Sequence, residues 1–195
     1  HGHGPSLGAR LPRTMRLLTE SSPANRHPVT IVFYGQSITA QHWWWSVARE
    51  LRERFPHADL RVMNRSIGGH TMPVLLQTAE ADLFPEYPDL VVLRAYEMYK
   101  DGSLETMVRN LRSRTTAEIL LMNHHVSGHD YRLADNRAVR EIGAAYGCEV
   151  AEVSDQWGHY LAQYGLRDDA LRSDGVHLNA AGCELMAQLV ARHFQ

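Results

Sequence analysis

Ser37 lies where a short apolar run gives way to a helix, and that placement decides what its hydroxyl can do. Val29–Tyr34 is apolar, β-branched and aromatic, the composition of a buried strand. Gly35 ends the run, and Trp44, Val47, Ala48 and Leu51 then recur at helical spacing. A serine between a buried parallel strand and a helix stands beyond the strand's carboxyl end, where open α/β sheets bind ligands. The free N–H groups at a helix start would also face a developing negative charge there. A serine at that place equally well caps the helix. Near the other end of the chain, Ser173-Asp174-Gly175-Val176-His177-Leu178-Asn179 is a polar loop before the last apolar helix. An aspartate three residues before a histidine can hydrogen-bond the imidazole and select which nitrogen faces a serine. Ser37, His177 and Asp174 together supply a nucleophile, a general base and an orienting carboxylate.

A third stretch belongs with these two. Leu60-Arg61-Val62-Met63-Asn64 reads as a strand, and Asn64-Arg65-Ser66-Ile67-Gly68-Gly69 follows it. The Gly68-Gly69 pair allows positive φ and close backbone approach, which an N–H donor to an oxyanion needs; an ordinary turn has the same composition. With these residues in view, the sequence resembles the SGNH (GDSL-type) hydrolase superfamily. Gly35-Gln36-Ser37-Ile38-Thr39 matches its first block, Asn64–Gly69 its second and Asp174-Gly175-Val176-His177-Leu178 its last. The likeness runs from residue 29 to residue 195. It implies a three-layer α/β/α sandwich, flavodoxin-like, around a five-stranded parallel sheet in the order 2-1-3-4-5. It further implies a serine ester hydrolase acting on a small acyl group, an acetyl group on a carbohydrate being favoured. The N–H groups of Ser37 and Gly69 would form the oxyanion hole, and no cofactor is implied.

One block of the pattern is missing. Members of the superfamily carry an asparagine after the third strand as a side-chain donor to the oxyanion. Here that stretch is Leu93-Arg94-Ala95-Tyr96-Glu97-Met98-Tyr99, which puts Met98 or Glu97 at the amide's position. Neither donates as an amide does. Substitutes at neighbouring strand ends are Asn123, His124, His125 and the hydroxyls of Tyr96 and Tyr99. Glu97 in a cleft could instead act as a general acid, giving a second reading in which a glycosidic bond is cleaved. A solvated Glu97, or one paired with Arg94, is the bland alternative. A third reading is a carbohydrate-binding domain without catalysis. His124 and His125, adjacent on an extended chain, would point to opposite sides and not share one ion. With no carboxylate or cysteine at ligand spacing, no metal is expected.

The elements that must hold these residues are legible as alternation. Strands read at 29–34, 60–64, 89–93, 117–122 and 149–153, with helices at about 40–54, 73–84, 103–114, 133–146, 155–164 and 180–194. Such alternation argues for a parallel sheet with helices on both faces. Trp43-Trp44-Trp45 falls on one helix, where successive residues turn by about 100°, so the three rings cannot all face the core. One or two belong to the core, and the rest, Trp43 included, are candidates for stacking on a sugar ring. Residues 1–28, rich in Gly, Pro, Ser and Arg, read as an extended lead-in with at most one helical turn, or as a linker from a further domain. The remaining stretch, 29–195, reads as one catalytic domain.

A formal charge of −2 and a pI near 6.7 give no reason to expect a nucleic-acid partner or an anionic membrane. No apolar run approaches the roughly 20 residues of a membrane span. A small-molecule or polysaccharide ester is the partner the resemblance implies. The chain opens His1-Gly2-His3-Gly4 without methionine, which leaves room for a removed leader. Cys148 and Cys183 fit no metal pattern and read as buried thiols, which leaves both a secreted and a cytoplasmic location open.

Overall fold

The computed structural model of the chain describes residues 6–94, 101–125 and 130–195. Five strands, β1 (Pro28–Tyr34), β2 (Asp59–Asn64), β3 (Leu90–Arg94), β4 (Glu118–Met122) and β5 (Glu149–Ala151), form one parallel sheet in the order β2-β1-β3-β4-β5. Every residue of β3 and β4 is buried, as both faces of these inner strands are covered. The edge strand β2 is only half-buried.

Side chains alternate between the two faces and build two cores. On one face Ile31, Phe33, Val92, Leu120 and Met122 pack with α3 (Trp43–Arg54), α7 (Val153–Gln163) and α8 (Ala180–Ala191). On the other, Val32, Tyr34, Val91, Leu93 and Leu121 pack with α4 (Met72–Asp82), α5 (Ser103–Arg114) and α6 (Asp130–Tyr146). The result is the α/β/α sandwich that strand–helix alternation and the resemblance imply. Arg112 and Arg114 in the last turn of α5 oppose its negative C-terminal end, and the Asn179 side chain caps α8 by accepting from the Gly182 N–H.

Two stretches differ from the reading of the sequence. The single helix expected at 40–54 is two: α2 (Ser37–Ala40), which starts on Ser37 itself, and then α3. The lead-in holds a nine-residue helix, α1 (Pro12–Glu20), rather than one turn at most. Leu11 has no capping side chain to offer α1, and the Glu118 carboxylate supplies the cap from the start of β4. It accepts the N–H groups of Arg13 at 3.0 Å and Thr14 at 2.6 Å. Arg13 also reaches Asp89 at 2.8 Å, and Glu149 accepts the Gly8 and Arg10 N–H groups. Three acidic residues at the amino ends of three neighbouring strands therefore hold the lead-in against the sheet edge opposite Ser37.

Candidate active site

β1 delivers Gly35-Gln36-Ser37 to the carboxyl edge of the sheet, and Gly35 is required there by space. A Cβ on it would stand 2.6 Å from Thr39 Oγ1 and 2.7 Å from the Arg94 carbonyl oxygen, closer than carbon and oxygen can pack. The loop after β2 is drawn to the same edge by two backbone bonds, Arg65 N–H to Phe33 O and Ile67 N–H to Gly35 O. That loop ends in Gly69 at φ +75°, a conformation glycine adopts freely.

The histidine loop crosses to Ser37 from the start of α8. Asp174 shapes it first: one carboxylate oxygen accepts the Val176 and His177 N–H groups, both at 2.7 Å. The other oxygen meets His177 Nδ1 at 2.9 Å, and His177 Nε2 stands 3.1 Å from Ser37 Oγ. The backbone bonds from His177 and Val176, reinforced by the His177 ring, hold the Asp174 carboxyl down at about 2. Gln41 fastens the two halves together, its amide donating to the Leu178 carbonyl and accepting the Leu178 N–H, both at 3.0 Å. Nothing in the sequence pointed to Gln41, because its partner lies 137 residues away.

Ser37 opens onto a cavity of about 200 Å³ lined by Gln36, Gly69, His70, Arg94, His124, His125 and Val176. Wider grooves elsewhere, about 710 Å³ beside Glu80 and Arg114 and about 680 Å³ between α3 and α8, do not include Ser37 or His177. Arg94, the last residue of β3, is only 4% exposed. Its Nη2 lies 3.1 Å from His124 Nδ1 and 3.3 Å from His125 Nδ1. A guanidinium can only donate, so both Nδ1 atoms present lone pairs to it and carry no proton. The ring protons then sit on Nε2, where His124 donates to Asp135 and His125 to the Val176 carbonyl, each at 2.9 Å.

The two histidines therefore do not point apart as an extended chain would make them. β4 ends at Met122, the pleat ends with it, and both rings converge on one guanidinium. Asn123, expected as a substitute donor, is turned away from that role: its Nδ2 donates to Glu152 and its Oδ1 accepts the Ser154 N–H, each at 2.9 Å, bracing β4 to the start of α7. Trp43, expected as a sugar platform, is 1% exposed, packed edge-on to Phe33 at 5.6 Å, its indole donating to the Ile38 carbonyl. Trp43 stands one turn before Val47 and two before Leu51 on α3, so it faces inward with them, and Trp45, at 57% exposure, faces outward. Glu97, Met98, Tyr96 and Tyr99 lie outside the described residues. Gln36, Arg94 and Gln41 are the residues the sequence reading passed over; for Arg94, its place at the end of a uniformly apolar strand was the available signal.

No family model matches the chain, and no curated protein matches it. Solved structures do. An acetylxylan esterase from Geobacillus stearothermophilus superposes with a TM-score of 0.76 at 20% identity, over 87% of this chain and 95% of that one. Catalytic mutants of that enzyme replace a serine, an aspartate or a histidine with alanine. A second acetyl xylan esterase, AlAXEase, gives a TM-score of 0.71 at 18% identity, over 83% of this chain and 98% of that one. This chain therefore has the α/β fold of these esterases.

Proposed function

We propose that this chain is a serine ester hydrolase that removes acetyl groups from a carbohydrate. The observation that carries the reading is the continuous line from Ser37 Oγ, at the wall of a small cavity, through His177 to Asp174. Ser37 Oγ attacks the ester carbonyl while His177 Nε2 takes its proton. His177 then returns that proton to the leaving sugar oxygen, and water activated in the same way releases the acyl group from Ser37. Asp174 keeps Nδ1–H pointed at itself, so that Nε2 carries the lone pair Ser37 needs, and stabilises the imidazolium. The N–H groups of Ser37 and Gly69 receive the oxyanion.

The size of the cavity supports a small acyl group. Sites for drug-sized ligands begin at roughly 300 Å³; about 200 Å³ suits an acetyl group and leaves the sugar outside. The enzyme from Geobacillus stearothermophilus supports both halves of the reading. It is described as acting on acetylxylan, and its catalytic serine, aspartate and histidine are the residue types that meet here, with the aspartate three residues before the histidine in both chains. The test is acetyl release from acetylated xylo-oligosaccharides by the wild type and by His177→Ala. Release by the wild type and a loss of about 10³-fold or more in the variant is expected. Equal rates would rule out His177 as the base.

A further inference from the structure

We infer that Arg94 is the side-chain donor to the oxyanion, in the role that an asparagine after the third strand fills in the superfamily the sequence resembles. The inference rests on the ester-hydrolase reading. Arg94 ends β3, the strand beside β1, and its carbonyl lies against the Gly35 turn that carries Ser37. Its side chain lines the same cavity as Ser37 and Gly69. The other candidates among the described residues spend their N–H groups elsewhere: Asn123 on Glu152, His124 on Asp135, His125 on Val176. What the two histidines give to the cavity is lone pairs, and these hold the guanidinium from below. Their far nitrogens are pinned, so the guanidinium is fixed before any substrate arrives.

The chemistry favours a role in the transition state. When Ser37 Oγ bonds to the carbonyl carbon, the carbonyl π pair moves onto oxygen, and the hydroxyl proton goes to His177. Collapse re-forms the carbonyl, breaks the bond to the sugar oxygen and returns the proton to that oxygen. Arg94 loses no proton in either step; it donates a hydrogen bond to an oxygen whose charge rises and falls. A fixed, buried cation attracts that oxyanion far more strongly than the neutral carbonyl that precedes it. A guanidinium carries five N–H donors and keeps its charge at every working pH.

The experiment measures kcat and KM for a chromogenic acetyl ester with the wild type, Ser37→Ala, Arg94→Met and Arg94→Ala. The last is assayed with and without guanidinium ion at concentrations far below those that unfold proteins. Arg94→Met is expected to lower kcat by about 10²–10³-fold with little change in KM. The change takes a donor from the buried Nδ1 atoms of His124 and His125, so a lowered melting temperature is expected, and kcat is measured well below it. Added guanidinium should restore part of the Arg94→Ala rate. A kcat near wild type in Arg94→Met overturns the inference. So does a raised KM with kcat kept, which would make Arg94 a ground-state binding group. Loss of folding without rescue by guanidinium overturns it too, by making Arg94 structural. Wild-type rates in Ser37→Ala overturn the ester-hydrolase reading itself, and absence of turnover in the wild type overturns both.

Discussion

Asp174 is held ionised to about pH 2 by the His177 and Val176 N–H groups. Its folded value is lowered, so the order it gives the loop is fully present above the ordinary aspartate range, near 3.9. That order is lost only as pH falls toward about 2. The lone pair that faces Ser37 belongs to His177, not to Asp174. We therefore expect Asp174 to add no inflection to the pH–rate profile above the ordinary aspartate range, near 3.9; an inflection there that disappears in Asp174→Asn would contradict this. Asp174→Asn should cut kcat by up to about 10⁴-fold, because an amide N–H at Nδ1 turns the ring to the wrong tautomer. The circular dichroism spectrum of the folded protein should persist. Ser37, His177 and Asp174 were legible in the sequence because two of them are neighbours in one loop and Ser37 stands between a strand and a helix. Arg94 was not, because its partners are set by strand order: β4 lies beside β3 and brings His124 and His125 to it.

At the level of elements, Gln41 joins the short helix that starts at Ser37 to the loop that carries His177. Each of its two bonds contributes about 0.5–1.5 kcal/mol. Gln41→Ala should cost about 1–3 kcal/mol of stability in urea titration. It should also lower kcat by up to about 10²-fold with KM little changed, since a shift of about 1 Å between reacting groups has that effect. The strands were readable to within one residue, except that β5 stops at Ala151, two residues early, because an apolar run covered on both faces leaves little choice of secondary structure. The break between α2 and α3 was not readable. Which tryptophan is buried follows from α3 alone, where Trp43 shares the face of Val47 and Leu51.

Across the whole molecule, the edge opposite Ser37 is where the lead-in is fastened, through Asp89, Glu118 and Glu149. The helix there is too short to be stable alone, helices under about 12 residues being marginal in water. Its caps come from strands about 100 residues on, so local propensity gave no sign of it. Burial pushes the Glu149 carboxyl up, but His193 and the Gly8 and Arg10 N–H groups outweigh it and hold the group below its ordinary value. With the folded value lowered, the stabilisation is present above the unfolded carboxylate's pKa, near 4.3, and is lost as pH falls through the folded value. The melting temperature of Glu149→Gln should therefore lie below the wild type's at pH 7. The gap should close as the pH is taken below about 4, while acetyl-ester turnover at pH 7 stays near wild type.

If Ser37 carries the acyl group, a reagent that bonds to activated serines must find it and stop turnover. The protein is incubated with an organophosphonate serine probe, digested, and its peptides are mapped by mass spectrometry, with acetyl-ester turnover followed in the same samples. A single adduct on the peptide holding Gly35-Gln36-Ser37, formed in step with the loss of turnover and absent from Ser37→Ala, is expected. Turnover that survives complete labelling of Ser37, or that proceeds unchanged in Ser37→Ala, would contradict it.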